Sequence, residues 1–156
     1  MSAPTVTNIR TAIAARIAGV AGAGKVHTHE RYAADIATLK AMYVTGGTLA
    51  GWYVRRIGTR ETSPHPGRWI VVHRWRLVGF RGFEDAAASE LAFDELIEGI
   101  RSAMRSDDTL GGLVDTCIVD GGAGEAGVQV VDSGPVVFCG VLCHAARLDL
   151  ATRHHL

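Results

Sequence analysis

Residues Asp85–Asp108 read DAAASELAFDELIEGIRSAMRSDD, and TLGG follows them. Apolar residues recur at Leu91, Leu96, Ile97, Ile100 and Met104, with Phe93 beside the stripe. That spacing predicts an amphipathic helix of about six turns with a broad apolar face. Glu84 and Asp85 stand at its start and Arg101 and Arg105 near its end, the arrangement a helix dipole favours. Gly111-Gly112 stops it. The flanking sequence, before Phe83 and after Gly112, reads mostly as strand, so the helix is expected to lie as a lid on a sheet.

Upstream, Thr5–Ala18 repeats isoleucine at positions 9, 13 and 17, a helical spacing that Thr7 or Asn8 could cap. Gly19–Gly24 ends it. Val26–Arg31 is expected to be extended, and Ala33–Tyr43 to be a short helix with Ile36, Leu39 and Tyr43 on one side. Leu49–Thr59 reads as a strand, ETSPHPG (Glu61–Gly67) as a turn, and Arg68–Phe80 as a long strand that completes a hairpin. In the second strand Trp69, Val71, His73, Trp75 and Leu77 share one face, and Arg68, Ile70, Val72, Arg74 and Arg76 share the other. Trp69 and Trp75 are then expected under the long helix. Downstream, strands are expected at Leu113–Val119, Val128–Asp132 and Val136–Leu150, with a loop at Asp120–Gly127. In the last strand Val136, Phe138, Leu142, Leu148 and Leu150 fall on one side. The pattern is α+β: a mainly antiparallel sheet of about five strands with helices packed on one face, in a single domain spanning 1–156.

With 47% hydrophobic and 21% charged residues, the 156-residue chain is globular in composition and long enough to bury a core. Its formal net charge is zero, which by itself suggests neither nucleic acid nor membrane. The distribution is uneven. Residues 51–83 hold seven arginines and one acid (Glu61), a net of +6; residues 84–108 hold eight acids against Arg101 and Arg105, a net of −6. Adjacent blocks of opposite sign suit two solvated faces, or an assembly in which one subunit's basic face meets another's acidic one. No stretch is apolar for long enough to span a membrane, and nothing near Ala12–Gly24, which Arg16 interrupts, has the form of a signal peptide. Three cysteines, Cys117, Cys139 and Cys143, fit reduced thiols better than a disulfide framework.

Few stretches suggest chemistry. Gly19–Lys25 (GVAGAGK) matches most of a phosphate-cradling loop, but a helix precedes it and Val26 stands where a magnesium-binding Ser or Thr belongs, so it reads as a connector. His27 and His29 alternate on an extended stretch, and without a third ligand two histidines are not a metal site. Cys139 and Cys143, taken as lying on one strand, would be about 13 Å apart, too far to share a zinc. His154-His155 are expected in a mobile terminus. Asp94, Glu95 and Glu98 have the spacing of a solvated helix face, and Asp107-Asp108 that of a local cap. No catalytic residue, cofactor site or metal site is assigned. Arg55, Arg56, Arg60, Arg74, Arg76 and Arg81, interleaved with Trp52, Tyr53, Trp69 and Trp75, leave open a nucleic-acid surface in which arginines track phosphates and rings stack on bases.

The order of these signals resembles the tail terminator, or tail-completion, proteins of long-tailed bacteriophages. An N-terminal helix is followed by VHTHERYA (26–33), GWYVRRIGTRE (51–61) and RWIVVHRWRLVGFRG (68–82). FDELIEGIRSAMRSD (93–107), DTLGG (108–112) and GPVVFCGVLCHAARLDLATRH (134–154) complete the match, which covers roughly residues 5–153. The resemblance implies a small α+β subunit without catalytic residues. Six copies would form a ring that caps the tail tube, ends its polymerisation and offers a docking surface to the head connector. The expected location is then the neck end of the virion tail after assembly in the host cytoplasm, with DNA passing through the lumen. On this view Arg55, Arg56, Arg74 and Arg76, with Asp107 and Asp108, are the interface candidates. A head–tail adaptor ring is the neighbouring alternative, and a small cytosolic enzyme or ligand-binding protein the alternative of another class.

Overall fold

The computed structural model describes residues 2–117 and 125–156. Its elements run α1 (Val6–Ala18), β1 (Lys25–His27), α2 (Ile36–Ala41), β2 (Val44–Thr45), β3 (Thr48–His65) and β4 (Arg68–Gly82). A single 3-10 turn (Asp85–Ala87), α3 (Ser89–Ser106), β5 (Gln129–Phe138) and β6 (Val141–His155) follow. The fold is α+β, as the sequence pattern implies. Six strands form one mixed, mostly antiparallel sheet in the order β1-β3-β4-β6-β5, with β2 paired to β3 and β1 parallel to it.

The two long helices lie on one face of this sheet. Ile9, Ile13 and Ile17 of α1 and Phe93, Leu96, Ile97, Ile100 and Met104 of α3 enclose Trp52, Val54, Trp75, Leu77, Leu148 and Leu150 in one buried cluster. Each of the larger side chains removed from water there stabilises the fold by about 1.5–3 kcal/mol. α1 begins at Thr5, whose hydroxyl accepts the Asn8 N–H at 3.0 Å, so the cap lies just before the two residues expected to supply it. The short α2 sits apart. Leu39, Met42 and Tyr43 pack with Tyr53, Phe80, Phe138 and Cys143 in a second cluster on the opposite face, at one end of the sheet.

Several expectations are corrected. α3 starts at Ser89 rather than at Asp85, because Ala88 adopts a left-handed conformation (φ 51°) that breaks the helix from the preceding 3-10 turn. Leu91 is then exposed. Counting from Phe93, it falls on the far side of the helix, in line with Asp94 and Glu98. The β3–β4 hairpin runs to a two-residue turn at Pro66-Gly67, with Gly67 at φ 79°, so most of Glu61–Gly67 is strand. Trp69 lies near this turn and is half-exposed instead of packing under α3.

The C-terminal strands also differ. One uninterrupted strand over 136–150 is replaced by a β5–β6 hairpin turning at Cys139-Gly140, both at positive φ. Cys139 is thus a turn residue while Cys143 is buried in β6, so the two do not share a strand face. Leu142 is correspondingly exposed. Gly134-Pro135, which punctuates the sequence, lies inside β5; proline is tolerated there because β5 is the sheet edge. Residues 113–117 form turns and one bridge, Thr116 to Arg153, instead of a strand; 118–124, which the expected strand and loop also included, lie outside the described residues. His154 is buried and His155 is bonded to Asp115, so this pair is part of β6 and not a loose tail.

Candidate functional site

Strand alternation places the arginines. The face that buries Trp52, Val54, Trp75 and Leu77 is covered by α1 and α3, so the intervening residues reach the other face, which is open away from the α2 end. Across this face Arg55 of β3 stands opposite Arg76 of β4, which stands opposite Asp149 of β6 and then Gln129 of β5. A neighbouring row reads Tyr53, Val78, Arg147, Asp132. On the other side lie Gly58, Arg74 and Ala151, and beyond them Arg60, Val72 and Arg153. A β-bulge between Arg56 and Gly58 shifts the alternation by one residue, which is how Arg60 comes to share a face with Arg55 and Arg74.

Three of these arginines have carboxylate partners. Arg76 donates Nε–H and Nη2–H to the two oxygens of Asp149 at 2.9 and 3.1 Å, a bidentate pair that raises the already high guanidinium pKa. Arg147 forks onto Asp132, and Arg55 reaches Glu30 at 3.3 Å. Among the described residues Arg60, Arg74 and Arg153 have no ion pair, and all three are exposed. An open cleft of about 550 Å³ lies over the rows that carry Arg60 and Arg74, with Val72, Gln129, Asp149, Ala151 and one exposed acid, Glu125, in its lining. Gly58 opposite Arg74 contributes no side chain to screen it. The surplus positive charge is thus concentrated where the sheet is bare, the condition under which it attracts phosphate or an acidic protein surface.

The six candidates named from the sequence do not form one group. Arg55, Arg74 and Arg76 share the open face. Arg56 stands opposite Trp75 on the helix-covered face and is close enough to His73 to disfavour its protonation. Asp107 and Asp108 are engaged within the subunit at the end of α3. Asp107 accepts from Arg16 at 3.0 Å, from the Thr109 N–H and hydroxyl, and from the Gly111 N–H. These donors hold its carboxyl well below the usual range. Asp108 accepts from the Thr116 hydroxyl. Together they build the turn after α3.

Other motifs find structural roles. The Lys25 ammonium donates to the Ala41 carbonyl at 2.9 Å, tying β1 to α2. His27 Nε2 bonds the Met42 carbonyl at 2.7 Å, and its pKa is lowered chiefly by burial. No three His, Cys, Asp or Glu side chains converge as metal ligands among the described residues. Trp52 and Trp75 are fully buried and unavailable to stack on bases.

One polar pairing has no signal in the sequence. The Ser89 hydroxyl accepts the Glu84 N–H at 2.9 Å and bonds His144 Nε2 at 2.8 Å. His144 lies between Phe83 and Phe93, and no carboxylate pairs with it among the described residues. With Ser89 itself buried, the contact fastens the start of α3 to β6 rather than presenting a nucleophile. Its partners are far apart in sequence, which is why no local pattern announces it. The chain matches no family model and no curated protein.

Proposed function

We propose that this chain is a structural subunit, a phage tail terminator that assembles into a ring, most simply a hexamer, at the end of the tail tube. The observation that carries the reading is the division of charge between the two layers. Glu90, Asp94 and Glu95 are exposed along α3, on the outside of the helical layer, while Arg60, Arg74 and Arg153 lie on the bare face of the sheet, and none of these six has an ion pair among the described residues. A subunit with unlike charges on its two outer surfaces favours heterologous contact with a copy of itself, and a heterologous contact that closes makes a ring. The ring would cap the tube protein, stop its polymerisation and receive the head connector. The open arginine face would meet the neighbouring subunit, the tube, or DNA crossing the lumen, to which it would bind without regard to sequence. The reading requires no cofactor and no catalytic group.

The test is native mass by light scattering behind a sizing column across a concentration series, followed by imaging on purified tail tubes. A species near six times 16.6 kDa that caps tubes is the expected result. A strict dimer that leaves tubes uncapped overturns it.

A further inference from the structure

Three arginines on the open face of the sheet surround one apolar side chain. Arg60 of β3 and Arg153 of β6 are the cross-strand neighbours of Val72 on its two sides, and Arg74 follows two residues along β4. Directly opposite residues point the same way, and residues two apart on a strand share a face about 6.6 Å apart, so all three project from one side of the sheet around Val72. Each is exposed, and none has an ion pair among the described residues. Gly58 and Ala151, the partners of Arg74, have little or no side chain, and the open cleft lies over them.

The outer side of α3 carries the opposite arrangement. Leu91 is 64% exposed, and Glu90, Asp94 and Glu95 lie one residue before it and three and four residues after it. Positions three and four apart on a helix stand about 5–6 Å apart, the same scale as the spacing on the sheet. All three carboxylates are exposed and lack an ion pair among the described residues, whereas Glu98, one turn on, is held by Arg101. The two patches cannot meet within one subunit. They lie on opposite layers, and the Ser89–His144 bond places the start of α3 about 30 Å along β6 from Arg153 at strand rise.

Resting on the ring reading, we infer that the first turns of α3 of one copy dock on the Arg60–Arg74–Arg153 surface of the next, with Leu91 seated over Val72 and Glu90, Asp94 and Glu95 facing the three arginines. The occupant is a second copy because the chain supplies both halves of the contact: one apolar centre flanked by three unpaired cations, and another flanked by three unpaired anions. Nucleic acid fits this surface less well. A phosphate backbone brings no apolar group to Val72, leaves Leu91 uncovered, and finds no tryptophan for its bases, since Trp52 and Trp75 are buried and Trp69 stands on the helix-side face. Glu125, four residues before β5, also lines the cleft and disfavours a second anion beside it, so the docked carboxylates would gather at Val72. The contact joins the helical layer of one subunit to the sheet of the next and is therefore heterologous, as a ring requires.

The experiment uses two double variants, each reversing one patch: Arg60→Glu with Arg74→Glu on the sheet, and Asp94→Arg with Glu95→Arg on the helix. All four sites are exposed. Folding is checked by circular dichroism and self-association measured by sedimentation velocity. Each double variant alone is expected to weaken association by about tenfold or more, because like charges then meet. An equimolar mixture of the two pairs reversed sheet with reversed helix and native sheet with native helix, and is expected to recover wild-type association. Leu91→Ser, which changes no charge, is expected to weaken association as well, and carries the test if a reversal unfolds the chain. Should wild-type association need tube tips, the same comparison is read as tip occupancy by labelled subunits. Variants that associate like wild type, or a mixture no better than its parts, overturn the inference and leave the ring standing. So does binding of mixed-sequence duplex DNA that the sheet variant abolishes while its self-association is unchanged. A wild-type chain that neither associates in solution nor occupies tube tips overturns both.

Discussion

The indole of Trp52 covers Gly79, its cross-strand partner: a Cβ built on Gly79 would lie 2.2 Å from Cε2 of the ring. On its other side Trp52 stacks on Phe93 of α3, with ring centroids 6.0 Å apart and planes inclined by 20°. The glycine lets a large aromatic lie down on the sheet and still meet the helix. Gly79→Ala should force the ring off its site, and overpacking of this kind costs about 1–3 kcal/mol. Chemical denaturation should show it as a lower midpoint with an unchanged slope.

A buried polar contact closes the same core further along. Trp75 Nε1–H donates to the Thr152 hydroxyl at 2.9 Å, and both residues are fully buried. Thr152→Val keeps the shape and orphans the indole donor. The expected loss is about 1–3 kcal/mol, measurable by urea titration.

Two arginines of the open face should respond differently to charge reversal. Arg76 is held bidentately by Asp149, so Arg76→Glu places two carboxylates together and should lower stability by about 1 kcal/mol, discounted for partial exposure. Arg74 has no ion pair among the described residues, so Arg74→Glu should leave the thermal midpoint within error. If the face meets a partner, that variant should reduce tube capping or ring formation. Unchanged assembly by both variants would remove the open face from the interface.

Acid should weaken the fold through His73. Burial, aided by nearby His154 and Arg56, pushes its pKa from 6.5 down to about 4, and its Nδ1 bonds the Thr59 hydroxyl at 2.8 Å. His154, with its ring centroid 5.5 Å from that of His73, is lowered as well, chiefly by burial. Both are neutral in the folded chain at a pH where the unfolded chain is already protonated. Stability is therefore full above about pH 6.5 and declines as pH falls towards 4, by about 3 kcal/mol for His73. Urea midpoints at pH 7 and 4.5 should differ less in His73→Gln than in wild type, since that variant removes the titrating group.

Asp107→Ala should loosen the turn after α3. Its carboxylate collects four side-chain and backbone donors from Arg16, Thr109 and Gly111. Hydrogen exchange should quicken at Thr109 and Gly111 before it changes in the sheet.

The sequence conveyed what is local and periodic. The buried series from Phe93 through Ile100 to Met104 repeats at helical spacing, and Pro66-Gly67 marks a turn by composition, so α3 and the β3–β4 hairpin are legible. The β5–β6 turn is not, because Cys139-Gly140 lies within an apolar run and nothing local announces the left-handed backbone at Cys139 that precedes the glycine. Gly134-Pro135 misleads for the converse reason: the sheet edge admits a residue that elsewhere would end a strand. Leu91 misleads because hydrophobicity alone does not say which of two helix faces is the inner one.

The site was legible only in part. The alternation of Arg74 and Arg76 against Trp75 and Leu77 gives the basic face directly. The bulge after Arg56, the ion pair that joins Arg76 to Asp149, and the inward use of Asp107 all depend on contacts between distant segments. The exposure of Trp69 is similar: on pattern it belongs with Trp75, but it lies beyond the reach of the helices that cover the core.

The order β1-β3-β4-β6-β5 makes β6 an interior strand, although it is the last to be translated. Its residues pair with β4 along its length and with β5 along most of it. Until it is available, β4 presents an unpaired edge and the core lacks Ala146, Leu148 and Leu150. Contacts so distant in sequence slow folding, so the sheet would close only after synthesis has passed His155. A ribosome-stalled chain ending before Val141 should therefore remain protease-sensitive throughout, including in β3 and β4, whose own hairpin is already complete.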